Sequence, residues 1–381
     1  MKIIYSIQSL GNSGGIERVL STKANYLADV FNYEVHIVVA SKKTDSFFYH
    51  FSDKIHFHFL NIQFPKRKIW NYIFNSIQDN LYKNKLEQIL ISEKPDITIS
   101  VFGLDVKFLY KLNDGSQKIL EFHFTKNYLQ YLGNSLLNDK YRFLRKFWLK
   151  FLQKREEYFA GKYKNIVVLT ERDKLLWGNS NKFKVIPNSL SFETDKIALL
   201  DNKIILSMGR LVYPKGFQYL IKAFSILKDK YPDWKLLIYG EGQDKVLFQN
   251  EINRLSLQNQ IIIKSPEENV EKIMLNASFF VLPSLYEGFG LVLVEAMECG
   301  LPCIAFDCEC GPAEIISNNE DGFLVELKNV ETLADKIEFL MKNEMQRKAM
   351  GALAKKNAAK FSTEHIMKVW KEYFEQIVKA R

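Results

Sequence analysis

A glycine turn between two glutamates is the feature of this sequence that most clearly carries chemistry. Glu287 precedes the turn Gly288-Phe289-Gly290-Leu291, and Glu295 stands eight positions after Glu287 on an expected helix. The glycines let the backbone approach a ligand, and the start of a helix points free amides and the positive end of its dipole at it. This suits a diphosphate, with Glu287 able to bind sugar hydroxyls and Glu295 a ribose. In the simpler interpretation, Glu287 caps the helix and Glu295 is a solvated helix residue.

A cationic pair in the same half of the chain could serve the same ligand. Arg210 and Lys215 directly follow a predicted strand at residues 203–209. Arginine offers a rigid fork for two phosphate oxygens and lysine a mobile point charge, so the pair could neutralise a leaving diphosphate. Taken alone, the pattern also fits a solvated surface loop.

In the first half of the chain, a glycine loop and a histidine are the candidates. The loop follows the first predicted strand and ends in Gly14 and Gly15, whose amides could reach donor phosphates from the opposite wall of a cleft. Glu17 and Arg18 fit either a functional role or an ordinary first helical turn. His123 follows another predicted strand, where it could polarise a hydroxyl or stabilise positive charge at an anomeric carbon.

The elements that must position these residues alternate between strand and helix in two series, which predicts two parallel sheets with ligands at the carboxyl ends of the strands. The first series has expected strands at residues 2–8, 34–40, 96–101, 118–122, 165–170 and 184–188. The second has them at residues 203–209, 234–240, 261–263, 277–282 and 303–306.

The predicted fold class is therefore α/β, with two Rossmann-like domains whose parallel sheets face each other across a cleft. The N-terminal, acceptor-binding domain is expected at residues 1–188, followed by a linker at 189–202. The C-terminal, nucleotide-sugar-binding domain is expected at 203–360, and an amphipathic helix at 361–381 is expected to pack back toward the N-terminal domain.

These motifs resemble those of the retaining glycosyltransferases of the GT-B fold, specifically glycosyltransferase family 4, over nearly the whole chain. Glu287 and Glu295 match the family's E-x7-E motif, and the resemblance implies that they contact the donor sugar and the ribose. It also implies a histidine near the reacting sugar, at His123, and a reaction without a metal ion, because the family has no Asp-x-Asp motif. Asn188, Glu241 and Glu314 also match family stretches, and Glu314 fits either a donor-site contact or the ordinary start of a helix.

The resemblance implies a retaining, front-face transfer of a hexose or N-acetylhexosamine, without a protein nucleophile and with no cofactor besides the donor itself. The expected donor is a UDP-sugar, although Lys264-Ser265-Pro266 replaces a glycine common in relatives and leaves the base open. The expected acceptor is a lipid-linked or free saccharide of a surface polysaccharide or glycan. The alternatives are a sugar-nucleotide epimerase or phosphorylase, a dinucleotide oxidoreductase, and a nonenzymatic membrane-surface binding protein.

Basic charge is concentrated in the first half of the chain. Residues 1–190 contain 29 lysines and arginines against 17 acidic residues, whereas the remainder contains 24 against 27. Segment 140–155 has seven basic residues and no acidic one, and residues 64–70 are a second basic and aromatic segment. A helix at 140–155 fits an anionic membrane surface or an ordinary core helix with a solvated basic face. Its expected apolar face comprises Phe143, Leu144, Phe147, Trp148 and Phe151, opposite Arg142, Arg145 and Lys146.

Several other classes of protein and site are not expected. The spacing of the four cysteines fits neither a disulfide framework nor a zinc site, so buried or loop thiols are predicted and no metal is assigned. No nucleic-acid-binding signature is present. The sequence has no signal-peptide pattern and no run of about 20 apolar residues. The expected location is the cytoplasm, peripherally at the inner face of the cell membrane. The cysteines are Cys299, Cys303, Cys308 and Cys310.

Overall fold

Two parallel β-sheets, each flanked by helices, make up the computed structural model, which confirms the predicted α/β class. The backbone is described at residues 1–11, 14–41, 47–64, 72–132 and 142–380. The description of side chains leaves out residues 72–76, 132 and 142–146.

The first sheet forms the N-terminal lobe. Its strands are β1 (Lys2–Ile7), β2 (Glu34–Val39), β3 (His56–Phe59), β4 (Ile97–Ser100), β5 (Gln117–Glu121), β6 (Asn165–Val168) and β7 (Phe183–Val185). They lie side by side in the order β3-β2-β1-β4-β5-β6-β7, with every neighbouring pair parallel. The order in which successive strands are added to the sheet therefore reverses between β1 and β4, which is where ligands bind in open α/β sheets.

The second sheet forms the C-terminal lobe. Its strands are β8 (Ile204–Met208), β9 (Lys235–Tyr239), β10 (Ile261–Lys264), β11 (Phe279–Leu282), β12 (Cys303–Phe306) and β13 (Gly322–Val325). They lie in the order β10-β9-β8-β11-β12-β13 and are again all parallel. The corresponding switch point lies between β8 and β11, so the loops after these two strands face the same ligand site.

Helices lie between most successive strands, because a parallel connection needs a crossover. In the N-terminal half they are α1 (Gly15–Asp29), α2 (Tyr72–Glu93), α3 (Tyr128–Leu132), α4 (Arg142–Ala160) and α5 (Glu171–Leu176). In the C-terminal half they are α6 (Phe217–Leu227), α7 (Lys245–Arg254), α8 (Val270–Leu275), α9 (Leu291–Glu298), α10 (Pro312–Ile315), α11 (Val330–Lys342), α12 (Glu344–Ala358) and α13 (Thr363–Lys379).

The last helix, α13, belongs to the hydrophobic core of the N-terminal lobe. It begins at the N-cap Ser362, whose hydroxyl accepts a hydrogen bond from the His365 amide, and its apolar face packs against β1 and α1. Burying side chains of this size stabilises the packing by about 1.5–3 kcal/mol each. The buried residues of this face are Ile366, Met367, Trp370, Tyr373, Phe374 and Ile377.

The chain thus crosses between the lobes twice, once after β7 and once before α13. The two crossings are hydrogen bonded to each other. The Leu190 amide donates to the Phe361 carbonyl at 2.8 Å, and the Thr363 hydroxyl donates to the Leu190 carbonyl at 3.2 Å. The Thr363 amide also donates to the Glu193 carboxylate at 2.9 Å.

Two strands lie outside the predicted set. β3 has the sequence His-Phe-His-Phe at the sheet edge, and its imidazoles weakened the apolar signal expected of a strand. β13 has only four residues and starts with glycine, which has a low strand propensity. The strand predicted at 184–188 is β7, which ends at Val185 because Pro187 follows shortly and provides no backbone N–H for pairing.

Candidate functional site

The glycine turn and one member of the cationic pair, Lys215, meet at the carboxyl ends of β8 and β11. Lys215 lies in a short 3₁₀ turn after β8, and Glu287 lies in the loop after β11. The Lys215 Nζ contacts the Glu287 Oε1 at 2.6 Å, and the Glu287 side chain is 10% exposed. The structure therefore brings together one acidic and one basic residue that the sequence singles out. Arg210 is exposed, and it has no ion-pair partner within the described part of the chain.

The two glycines of the turn meet different requirements. Gly290 is the N-cap of α9 and has a φ of 96°, a left-handed conformation that favours glycine. Gly288 has no such torsion, but a Cβ built on it would lie 2.4 Å from the His123 carbonyl oxygen of the other lobe. The loop of the C-terminal lobe thus touches the loop after β5 directly. Within the turn, Phe289 is buried and Leu291 begins α9.

Glu295 contacts the N-terminal lobe. Its carboxylate forms an ion pair with the Arg18 Nη1 at 2.8 Å and accepts a hydrogen bond from the Ser191 hydroxyl. Burial raises the pKa of the Glu295 carboxyl, and the positive charge of Arg18 and the Ser191 hydrogen bond oppose that rise. The sequence left Arg18 open between a functional and an ordinary helical role. The structure places Arg18 beside Glu295, the residue predicted to bind the ribose.

His123 stands at the end of a buried charged cluster. Its Nε2 lies 3.4 Å from the Glu121 Oε1, and Glu121 forms a buried ion pair with the Lys23 Nζ at 2.5 Å. The Lys23 ammonium also lies 4.1 Å from the ring centroid of Trp370 on α13. Burial lowers the pKa of His123 to about 4, so its imidazole is neutral at pH 7.

Sequence reasoning missed Lys23 and Glu121, although a signal was present. Lys23 lies between apolar positions of α1, and Glu121 interrupts an apolar strand, so both are charged residues at positions expected to be buried. Buried charges are almost always paired. Two such residues on neighbouring elements predict an ion pair.

The glycine loop after β1 is described only in part, because Asn12 and Ser13 lie outside the described residues. Gly14 is the N-cap of α1, and Gly15 is the first residue of that helix. A Cβ at Gly14 would meet the Glu17 carboxylate at 2.3 Å, whereas a Cβ at Gly15 would meet no heavy atom within 4 Å. Among the described residues, the side of Gly15 is therefore open, whereas Gly14 lies against the Glu17 carboxylate.

The remaining predicted positions are placed less centrally. Asn188 is half-buried and follows β7. Glu241 is exposed after β9, where it pairs with Lys245 at 2.7 Å and accepts a hydrogen bond from the Ser265 hydroxyl at 2.9 Å. These contacts tie Glu241 to its own lobe and not to the Lys215 and Glu287 pair.

Glu314 is a bridge between the lobes. Its carboxylate accepts hydrogen bonds from the backbone amides of Glu171 and Arg172 at 2.9 and 2.8 Å, which are free amides at the start of α5. The Arg172 guanidinium in turn pairs with Asp307. The helix-start and donor-contact interpretations of Glu314 are thus joined by a third role, in which it caps a helix of the opposite lobe.

Aromatic and amide side chains extend this contact between the lobes. The Tyr131 and Tyr286 rings stack with centroids 4.8 Å apart, and the Thr125 amide donates to the Tyr286 hydroxyl at 3.3 Å. The Asn127 amide group donates to the Glu309 Oε1 at 2.7 Å. Because these residues surround His123 and Gly288, the lobes are in a closed arrangement around the candidate site.

Asp173, on α5, is another buried acid near this contact. Its Oδ1 accepts a hydrogen bond from the Lys126 amide at 2.8 Å, and burial raises its pKa to about 7. Perturbed carboxyls near a cleft are functional-site candidates. Little in the sequence pointed to Asp173, because an acidic residue in a first helical turn is ordinary.

A cavity of about 130 Å³ opens in the N-terminal lobe beside the same loops. It extends from the ends of β1 and β4 to the second half of α4, so α4 is part of its wall. The lining combines aromatic and charged residues, among them Phe102, Lys107, Phe124, Tyr128, Arg155 and Phe159.

Helix α4 also presents apolar side chains to solvent. Phe147, Trp148 and Phe151 are 74%, 46% and 56% exposed, which argues against the core-helix interpretation for this stretch. The rest of the expected face and its basic counterpart, at 142–146, lie outside the described side chains, and so do residues 65–70 of the second segment. In the described part of the chain, no helix is both long and apolar enough to cross a membrane.

The four cysteines are all buried and free, in agreement with the prediction of simple thiols. Burial raises the pKa of Cys299 and of Cys308 to about 12, so both are protonated thiols at neutral pH. A protonated thiol is a poor nucleophile and a poor metal ligand.

The sequence is similar to glycosyltransferases along its full length. Residues 192–357 match the family model described as glycosyl transferases group 1. The chain is 29% identical to an uncharacterized glycosyltransferase of Haemophilus influenzae over 97% of this chain and 99% of that one. It is 27% identical to the amylovoran biosynthesis glycosyltransferase AmsD of Erwinia amylovora, with the same coverage of 97% and 99%.

A third relative carries a more specific name. It is the N-acetylgalactosamine-N,N'-diacetylbacillosaminyl-diphospho-undecaprenol 4-alpha-N-acetylgalactosaminyltransferase of Campylobacter jejuni, 26% identical over 94% of this chain and 95% of that one.

Solved structures share the fold. Sucrose-phosphate synthase from Thermosynechococcus elongatus has a TM-score of 0.80 at 17% identity, and the match covers 100% of both chains. TarM of Staphylococcus aureus, solved with UDP and other ligands, has a TM-score of 0.77 at 18% identity over 98% of this chain and 99% of that one. At these identities the likeness concerns the fold alone.

Proposed function

We propose that this chain, a glycosyltransferase of the GT-B fold whose C-terminal lobe matches the glycosyl transferases group 1, transfers a hexose or N-acetylhexosamine from a UDP-sugar with retention of configuration. The observation that carries the proposal is the contact of Lys215 with Glu287 beside the start of α9, directly opposite His123. In this proposal an anion site, a sugar-binding carboxylate and the neutral imidazole of His123 face one donor sugar.

The C-terminal lobe supplies the groups for the donor. The N-terminal amides of α9 and the Lys215 ammonium lie where the diphosphate would bind, and the exposed Arg210 is free to turn toward it. These positive groups stabilise the charge that develops as the diphosphate leaves. On binding, Glu287 exchanges part of its contact with Lys215 for sugar hydroxyls. We take UDP as the nucleotide by analogy with TarM, which was solved with bound UDP.

The reaction we infer is a front-face substitution without a covalent intermediate on the protein. The departing diphosphate accepts the proton of the incoming acceptor hydroxyl as the new glycosidic bond forms on the same face. His123 is neutral at working pH, because its pKa is lowered to about 4, and it does not repel the positive charge that develops at the anomeric carbon. The charge stabilisation is assigned to Lys215, Arg210 and α9, without a metal ion.

The acceptor we propose is a lipid-linked saccharide for a surface polysaccharide or glycan. The cavity beside α4 lies in the N-terminal lobe, and its wall continues into the helix that exposes Phe147 and Phe151. An interfacial helix next to an acceptor cavity would hold the protein where a membrane-bound substrate is presented. The relatives named for amylovoran biosynthesis and for an undecaprenol-linked acceptor support this class. We place the enzyme at the cytoplasmic face of the membrane.

The test is a donor and acceptor screen with the full chain. UDP- and GDP-linked hexoses and N-acetylhexosamines are incubated with polyprenyl-diphosphate saccharides, with and without a chelator, and nucleotide release and product anomeric configuration are measured. We expect acceptor-dependent release of UDP, a retained configuration and no effect of chelator. Inverted product, a chelator-sensitive reaction, or isomerised or phosphorolysed sugar without acceptor would each contradict the proposal.

Glu287→Gln provides the matched test of the site. It removes the charge of Glu287 at nearly constant volume, so we expect transfer to fall by at least 100-fold with an unchanged thermal midpoint. Glu344→Gln is the control, because Glu344 forms an exposed pair with Lys348 far from the cleft in sequence. Equal activity in both variants would support a nonenzymatic or unrelated role.

A further inference from the structure

A second cluster of ligand-type side chains lies at the other end of the N-terminal sheet. His36 on β2 is paired in register with His56 on β3, and His58 follows two residues later, so all three imidazoles share one face at the sheet edge. The His36 ring lies 4.7 Å from the His56 ring and 5.2 Å from the His58 ring. Glu93, at the end of α2, completes the cluster.

The cluster is separate from the transferase site. His36 and His58 lie in the first three residues of their strands, and Glu93 precedes β4, so the group lies at the amino ends of parallel strands. Ligands of the transferase reaction are expected at the carboxyl ends. The catalytic proposal leaves these residues without a role.

The nitrogen atoms of the cluster face one another. The His36 Nδ1 lies 2.9 Å from the His58 Nε2, and Glu34 accepts a hydrogen bond from the His36 Nε2 at 3.0 Å. With Nε2–H committed to Glu34, His36 presents the lone pair of Nδ1 toward His58. The His36 Nδ1 and the His58 Nε2 therefore share one proton. If a cation replaces this proton, the lone pairs of both nitrogens can bind it.

We propose that His36, His58 and Glu93 form a binding site for a divalent transition metal, with Zn²⁺ as the ion that their ligand types fit best. One ligand atom from each residue lies within 4.8 Å of the other two. Ligands of a tetrahedral zinc ion lie roughly 3.3 Å apart, so the two imidazoles would separate by a few tenths of an ångström and the Glu93 carboxylate would move toward them. Two nitrogens and a carboxylate oxygen are a common zinc set, with water in the fourth position.

The residues around the ligands support this assignment. The hydrogen bond from His36 to Glu34 is the arrangement in which a carboxylate fixes the ring orientation of a metal-bound histidine. His36 is buried, which protects the ligand from solvent. The Lys2 ammonium contacts Glu34 at 2.7 Å and Glu93 at 3.2 Å, so it balances the charge of both carboxylates and would compete with a metal cation for them. Its side chain is 24% exposed and can turn toward solvent.

The bound ion would join three elements that are distant in sequence. β2, β3 and the end of α2 would share one ligand set. The edge strand β3, which pairs with β2 alone among the described strands, would be fixed at its start. We assign the site a structural role in the N-terminal lobe. This inference does not depend on the proposed transfer reaction, since its readout is metal binding.

The test is titration of the full chain, freed of metal, with Zn²⁺ by calorimetry, and with Co²⁺ by absorption. We expect one zinc ion per chain, a higher thermal midpoint on binding, and a cobalt spectrum typical of nitrogen and oxygen ligands. His58→Gln should abolish binding, and Glu34→Gln, which leaves all three ligands in place, should weaken it by about 10- to 100-fold. Lys2→Met removes the competing ammonium and should tighten binding.

His50→Gln is the matched control, because His50 is exposed and lies outside the cluster. It should bind zinc as the unmodified chain does. Equal zinc affinity in the unmodified chain and in His58→Gln would overturn the proposal, and so would thiolate-to-cobalt absorption bands, which would assign the metal to cysteines. If His58→Gln fails to fold by circular dichroism, the affinity of Glu34→Gln and the cobalt spectrum of the unmodified chain decide the matter.

Discussion

The Arg18 guanidinium of the N-terminal lobe lies 2.8 Å from the Glu295 carboxylate of the C-terminal lobe. Glu295 is almost fully buried, so this pair replaces the water that the carboxylate loses in the closed arrangement. A ribose that hydrogen bonds to Glu295 must therefore share this carboxylate with Arg18. In the proposed reaction, donor binding and lobe closure are therefore coupled at this point.

We expect Arg18→Ala to raise the KM for the donor more than it lowers kcat. Without Arg18, the buried Glu295 carboxylate loses its charged partner and its fixed orientation, and kcat/KM should fall about tenfold, which is about 1.4 kcal/mol. Steady-state kinetics with the preferred donor measure the effect. Arg172→Ala removes an exposed pair with Asp307 at the same interface and serves as the control. Equal effects of the two variants would argue against a specific role of Arg18.

The buried Lys23 and Glu121 pair should act through His123. Glu121→Gln leaves the Lys23 ammonium buried without a counter-charge, and we expect a loss of about 3–5 kcal/mol of unfolding free energy together with a lower kcat. The double variant Lys23→Met/Glu121→Gln removes both charges and should recover most of the stability. If Glu121 orients His123, kcat stays low in the double variant. Recovery of kcat along with stability would show that the pair has a structural role alone.

Gly288→Ala should prevent the observed closure. The added Cβ would lie 2.4 Å from the His123 carbonyl oxygen, and backbone atoms on both sides limit how far either loop can yield. Because a displacement of about 1 Å at a reacting centre can lower the rate about 100-fold, we expect a loss of that size in kcat/KM. Small-angle scattering should show a larger radius of gyration with donor bound. Unchanged kinetics would mean that the lobes do not meet here during turnover.

Asp173 should make the protein less stable as pH rises. Its folded-state pKa of about 7 lies above the unfolded value, so the folded state favours the protonated acid. The free energy of unfolding is therefore highest below about pH 4 with respect to this group. It falls as pH rises from about 4 to about 7 and does not change further with Asp173 ionisation above that. Asp173→Asn keeps an acceptor for the Lys126 amide and should be more stable than the unmodified chain by about 1.4 kcal/mol per pKa unit of that rise.

Thermal unfolding at several values between pH 4 and pH 8.5 measures this difference. The gap between Asp173→Asn and the unmodified chain should widen up to about pH 7 and then stay constant. Asp53→Asn, at an exposed position, should follow the unmodified chain throughout. A constant gap at all pH values would exclude titration of Asp173 as the cause.

Membrane binding should depend on the exposed rings of α4. Phe147→Ser/Phe151→Ser removes two side chains that are 74% and 56% exposed, and burial of each in a membrane interface should contribute about 1–2 kcal/mol. We expect binding to anionic lipid vesicles to fall about 30- to 1,000-fold in a sedimentation assay. Met345→Ser, at an exposed apolar position of the C-terminal lobe, is the control. Equal vesicle binding by both variants would remove α4 as the contact.

Most of the sheet architecture could be predicted from the sequence, because parallel strands buried on both faces are continuous apolar runs. β1, β8 and β11 were recognised for that reason, and the motif residues follow them directly. β3 and β13 were missed because short edge strands have little apolar pattern of their own, so only their pairing partners define them.

The site was predictable where it depends on local geometry and not where it depends on contact between lobes. The turn at Gly288 and the position of Glu287 follow from the loop between β11 and α9. The ion pair of Arg18 with Glu295 joins residues 277 positions apart, and the caps that Glu314 provides join α10 to α5. Such contacts depend on how two separately folded sheets meet, which hydrophobic periodicity does not encode.

The hydrogen bonds between Leu190 and the Phe361–Thr363 stretch limit the relative motions of the two lobes. Two covalent connections fixed side by side define a single axis, so one lobe can swing relative to the other but cannot slide or separate from it. We expect the lobes to open and close during turnover about this one axis. The cleft would then open on the side away from this axis, and we expect the donor to enter and the product to leave on that side.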